Sequence, residues 1–133
     1  MFLGIFLAEA YLLADECDKA EELCKTTLQI AECCGARPSL GSAHRLFGEI
    51  ALKTNPDEAP SHFEKAISIF RETKMENALA LAYSGMGRYH KQQGNMEQAR
   101  EYLTKALEIF ERLGTLIEPD KVRKELADLR AAG

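Results

Sequence analysis

Four cysteines and three histidines are the residues of this chain best equipped for chemistry, and their spacing leaves them little to do together. Cys17, Cys24, Cys33 and Cys34 all fall in the first quarter of the 133 residues. A structural zinc site wants cysteine pairs two to four residues apart. Here six residues separate Cys17 from Cys24, and the other two cysteines are adjacent. His44, His62 and His90 are dispersed and supply no second ligand pair. The spacing favours reduced cytosolic thiols, with Cys24 in the core. A redox or soft-metal site at Cys33 and Cys34 stands beside that reading. Neighbouring side chains on a helix point about 100° apart, so that pair converges only if the helix is distorted. No glycine-rich phosphate loop, G-x-S-x-G elbow or H-E-x-x-H pair is present. The chain reads as non-catalytic, with no metal or cofactor expected, and its function belongs to a surface.

Composition narrows what that surface can meet. With 46% apolar and 29% charged residues, the chain is an ordinary globular sequence of about one domain, residues 1–133. A net charge of -4 with scattered Lys and Arg argues against nucleic acid, which is held by clustered cations that displace counterions. The apolar opening, residues 1–14, is too short to span a bilayer. It has no positively charged start, and Glu9 and Asp15 interrupt it. It reads as the buried face of a first helix, with a secretory leader as the alternative. No membrane contact is expected, and the location expected is cytoplasmic.

Helix signals recur in pairs. A first hairpin is predicted over 2–34, turning at 14–18, where acidic residues suit the start of its second helix. Gly35 supplies the stop. Ser39 is read as the cap of a helix reaching about Lys53. Asn55 then caps the next, with Pro56 at its first position. Pro60 is expected to bend that helix, which runs to about Thr73. A fifth helix covers about 76–93, Gly94 and Asn95 form a turn, and a sixth ends at Leu113 before Gly114. A last amphipathic helix, about 119–131, presents Val122, Leu126 and Leu129 on one side and charges elsewhere.

These pairs are copies of one phrase of roughly 40 residues. Residues 62–70 reappear as 101–110, and 24–30 are a worn third version. Ala8, Gly48 and Gly87 are small where the two helices of a hairpin cross at about 8–10 Å. Ala20, Ala59 and Ala99 follow, then Cys24, Phe63 and Leu103, then Thr27, Ala66 and Ala106. The expected architecture is all-α, a stacked array of three hairpins, about 1–35, 40–74 and 76–114, closed by a capping helix.

The order Tyr83, Met86, Gly87, Gly94, Ala99, Leu103 and Ala106 resembles the tetratricopeptide repeat family, and the likeness covers almost the whole chain. The longer repeat is similar to the family's long-helix branch, whose members include protein-binding scaffolds and sensor arrays of bacterial signalling proteins. Residues 108–114 and 119–123 resemble the C-terminal end of such multidomain proteins, so the chain could be a module or a piece of one. The resemblance implies a right-handed α-α superhelix whose first helices line a concave groove for a peptide or helix of a protein partner. The groove positions transferred in this way include Glu9 and Leu13, then Arg45, Glu49 and Lys53, then Ser84, Arg88, Lys91 and Gln92. Arg45, Lys53, Arg88 and Lys91 could receive carboxylates of a partner by charge-assisted hydrogen bonds. The alternative is that these charges are solvated or paired, as Arg45 with Glu49. Where the family holds chaperone tails by a two-carboxylate clamp, this chain has Ile5, Glu9, Leu46, Leu81 and Gly85, which argues against such tails. His90 stands where the repeat buries an aromatic and is expected to be a satisfied core residue, while His44 and His62 are read as ordinary helix residues. Phe2, Leu3, Ile5 and Phe6 crowd the first helix with more apolar surface than one neighbour covers, which suggests homodimerisation through that end as a second reading.

Overall fold

The computed structural model describes residues 10–113 and 118–132, and every regular element among them is helical. Residues 10–13 form a helical turn ahead of α1 (Cys17–Cys34) and α2 (Arg37–Thr54). A 3-10 turn (Pro56–Glu58) leads into α3 (Ala59–Thr73), followed by α4 (Glu76–Gln92), α5 (Met96–Leu113) and α6 (Glu118–Ala132). The chain falls into two compact units, Met1–Lys74 and Met75–Gly133. In the first, α2 packs against both α1 and α3; in the second, α5 packs against both α4 and α6.

One stripe of buried residues explains why each hairpin closes. It reads Ala20, Cys24, Thr27 and Ala31 on α1, Ala59, Phe63, Ala66 and Phe70 on α3, and Ala99, Leu103, Ala106 and Phe110 on α5. Steps of four, three and four residues keep all four side chains on one helix face. The sequence pattern supplies the first three places, and the structure adds a fourth. Burying each large member contributes about 1.5–3 kcal/mol. In the second unit Val122 and Leu129 of α6 are also buried, as the apolar side of a cap requires.

The small crossing residues sit where the repeat pattern places them. A Cβ added to Gly48 would lie 2.8 Å from the Phe63 ring, and one added to Gly87 would lie 2.7 Å from Leu103 Cγ. Ala8, their counterpart in the first repeat, lies outside the described residues. A further close approach escapes the repeat pattern: a Cβ on Gly41 would meet the Phe70 ring at 2.8 Å.

Helix ends depart from the sequence reading in three places, for reasons set by proline. Helix α2 begins at Arg37, with Ala36 as N-cap and Pro38 in its first turn; Ser39 is therefore buried within the helix and does not cap it. First-turn N–H groups lack intrahelical acceptors, so proline is tolerated there without loss. The Asn55 side chain makes no capping hydrogen bond, because Pro56 to Glu58 form the 3-10 turn. The α-helix proper starts at Ala59, which puts Pro60 in its first turn and removes the reason to expect a bend.

Two helices carry a left-handed residue as their C-cap. Gly35 at φ 68° closes α1, its N–H bonded to the Ala31 carbonyl. Lys74 at φ 58° closes α3, its N–H bonded to the carbonyls of Arg71 and Phe70. A residue with a Cβ resists this conformation by about 1–2 kcal/mol, and glycine does not. Lys74→Gly is therefore expected to raise stability by about 1 kcal/mol, read as a higher urea midpoint at unchanged slope.

Ion pairs tie the hairpins at their ends. Arg37 at the start of α2 meets Glu72 at the end of α3 at 2.5 Å, and Arg112 at the end of α5 meets Glu76 at the start of α4 at 2.7 Å. Both pairs are solvent-exposed and contribute about 1 kcal/mol or less. They occupy the same corner of two repeats with the signs exchanged.

Candidate interaction surface

The residues transferred from the repeat pattern fall on the first helix of each full hairpin, and their environments differ. In the first unit Arg45 is buried at 9% exposure and Glu49 is half-buried. Lys53 is exposed but engaged: its Nζ lies 3.0 Å from Asp15 Oδ1 and donates to the Leu12 carbonyl at 3.2 Å. Beside that tie Leu13 stands 88% exposed. Glu9, and the self-association residues Phe2, Leu3, Ile5 and Phe6, lie outside the described residues.

In the second unit Ser84 is buried, Arg88 and Lys91 are half-buried and Gln92 is exposed. Arg88 Nε donates to the Ser84 carbonyl at 3.4 Å, and Lys91 Nζ stands 4.0 Å from Asp128 Oδ2 of α6. Positions 88, 91 and 92 share one face of α4, because residues three and four apart are helical neighbours. What results is a small cationic patch with an amide beside it, partly counterbalanced by the carboxylate of the capping helix.

The histidines hold more structure than the sequence reading assigned them. His44 of α2 and His62 of α3 stack at 5.6 Å between ring centroids, with their Nδ1 atoms 3.3 Å apart. Phe47 stacks on the His62 ring at 5.2 Å. Burial pushes His44 down to about 4, helped by the nearby positive character of His62 and by Lys65. His62 is lowered by burial and then Lys65, against Glu58, which raises it. Both rings are neutral at pH 7.

The same place in the second unit is filled by two tyrosines. Counting from Gly48 and Gly87, His44 corresponds to Tyr83; counting from Phe63 and Leu103, His62 corresponds to Tyr102. Tyr83 and Tyr102 pack at 6.0 Å, and Lys105 Nζ lies over both rings, at 5.7 and 5.3 Å. Lys65, which bears on the two histidines, is the counterpart of Lys105. The signal that could have found the pair was this alignment of the copies. Distance along the chain concealed it.

His90 corrects its expectation in part. It is half-buried and stacks flat on Tyr102 at 5.4 Å and 8°, as an aromatic would, but its buried Nδ1 has no hydrogen-bond partner. Burial lowers its pKa. The cysteines are free thiols, with Cys24 buried and Cys33 and Cys34 exposed at the end of α1. Among the described residues no group of three or more His, Cys, Asp or Glu is gathered for a metal, and no helix is long and apolar enough to cross a membrane.

Paired helices, one stripe repeated at matching intervals and a glycine at each described crossing define a helical-hairpin repeat protein. The sequence profile of the tetratricopeptide repeat matches residues 3–72 and again 51–112, so the chain belongs to that family. Such repeats generally mediate protein–protein interaction and are typically non-catalytic. Among solved structures, the crystal structure of BtubC (BKLC) from P. vanneervenii is similar at a TM-score of 0.67 and 16% identity. The match takes in 97% of this chain and 62% of that one, so the chain spans less than two thirds of its length. At that identity the likeness concerns the fold alone. Comparison with curated proteins finds no match.

Proposed function

We propose that the chain is a non-catalytic scaffold that holds an extended peptide or a helix of a protein partner along the first helices of its hairpins. The observation that carries this reading is the patch of Arg88, Lys91 and Gln92 on one face of α4, within a repeat family that generally mediates protein–protein interaction. Two cations and an amide within one helical turn suit a partner carboxylate, held by charge-assisted hydrogen bonds. Leu13, Glu49 and Lys53 of the first unit extend the proposal: an exposed apolar side chain offers contact area, and a mixed charge pair offers discrimination. A role as the regulatory module of a larger signalling protein belongs to the same reading, supported by the resemblance of residues 108–114 and 119–123 to the C-terminal end of such proteins.

Screening the chain against arrays of acidic peptides with free and amidated C-termini tests the patch. Joint replacement Arg88→Glu and Lys91→Glu is expected to weaken the best acidic peptide at least about tenfold, with helicity and melting unchanged. Binding at full strength in that variant rejects the patch.

A further inference from the structure

We propose that α6 occupies the cation patch of α4 from within the chain, its carboxylates standing in for those of a partner helix that carries two acids three residues apart. This rests on the reading that the patch takes partner carboxylates, and adds its regulation. Two ion pairs fix the helix directions in the second unit. Arg112 near the end of α5 meets Glu76 at the start of α4 at 2.7 Å, and Arg123 early in α6 meets Glu111 near the end of α5 at 3.1 Å. Both neighbours therefore run antiparallel to α5, and α4 and α6 run in the same direction. Lys91 and Asp128, 4.0 Å apart, set the register between those two. One turn back on each helix, three residues before that pair, Arg88 and Glu125 stand level.

The charges of α6 are sorted by side. Val122 and Leu129 are buried, Arg123 is drawn to α5, and Asp128 reaches toward α4. Arg88, Lys91 and Glu125 are half-buried, where salt screens charges less than in open water. Counting from Gly48 and Gly87, Arg88 and Lys91 replace Glu49 and Leu52 of the first unit. The hairpin itself thus does not call for cations here; they accompany the carboxylates of α6. A partner acid must displace one already present, so its apparent affinity falls by the fraction of time the patch is open.

Fluorescence anisotropy on the full chain at low salt tests this, with a labelled alanine-rich helical peptide bearing one glutamate and one aspartate three residues apart. Joint replacement Glu125→Gln and Asp128→Asn keeps shape and removes charge. It should tighten binding at least about tenfold with melting unchanged, and adding Arg88→Glu and Lys91→Glu should abolish the gain. A peptide with its acids two residues apart, on different faces, should bind at least about fivefold more weakly. Equal affinity in the native and neutralised chains, with binding still lost on Arg88→Glu and Lys91→Glu, overturns occupancy by α6 and leaves the patch standing. A gain that survives the reversed cations also overturns it, and equal binding of the two peptides overturns the partner spacing. No binding by either chain overturns the patch and its occupancy together.

Discussion

Phe63→Ala is expected to lower the stability of the first unit by about 3–5 kcal/mol, the usual range for a buried aromatic cut back to a methyl group. Its ring is fully buried, and it fills the space that Gly48 leaves open between α2 and α3. Against a total stability of about 5–15 kcal/mol, that loss brings the unit near its unfolding threshold. The informative step is to combine it with Gly48→Ala. In the native background the added Cβ meets the ring at 2.8 Å, and a ring buried on every side has nowhere to swing. Overpacking then costs about 1–3 kcal/mol, more than offsetting the roughly 1 kcal/mol that alanine gains over glycine inside a helix. Once Phe63 is alanine the obstruction is gone, and the same Gly48→Ala change should stabilise by about 1 kcal/mol. Urea unfolding of the four proteins in the cycle checks this. A glycine substitution that costs equally in both backgrounds would detach Gly48 from the crossing. Gly87→Ala should cost a similar amount, because the added Cβ meets Leu103 Cγ at 2.7 Å and that side chain is also fully buried.

Acid should loosen the same unit. His44 and His62 both have pKa values lowered in the fold, so the folded chain prefers them neutral and the unfolded chain takes up protons first. Their contribution is whole above the unfolded value of about 6.5 and is lost as pH falls from there toward about 4, where His44 also protonates in the fold. Lys65 beside both rings works in this direction, and Glu58 works against it at His62. Allowing for solvent screening of half-exposed rings, the expected loss is about 1–2 kcal/mol between pH 7.5 and pH 5. Urea midpoints measured across this interval give the number. The paired His44→Tyr and His62→Tyr variant should flatten the slope over this interval. An equal slope in that variant would assign the acid sensitivity elsewhere.

How much of this was legible in the sequence depends on which force acted at each place. Gly48, Gly87 and the alanine-centred stripes were readable because close crossing excludes large side chains, and exclusion repeats with the fold. Gly41 was not, since its partner Phe70 meets it at a crossing the repeat template does not mark. Helix starts were displaced because Pro38 and Pro60 fit first turns that Ser39 and Asn55 were expected to cap, and proline and cap signals compete over the same few residues. The cation patch on α4 was readable as residue types at helical spacing. The tie of Lys53 to Asp15 and the reach of Lys91 toward Asp128 join residues 38 and 37 positions apart. Such pairs follow from packing and leave no local trace.

The exchanged signs of the two corner ion pairs bear on folding fidelity. A chain of near-copies risks joining the wrong strands of its own pattern, for each copy offers a neighbour the stripe that its true partner wants. Were α2 to close on α5, Arg37 would face Arg112, and α4 closing on α3 would set Glu76 against Glu72. Two contacts of slight thermodynamic weight in the native form would thus set like charges face to face in either mispairing.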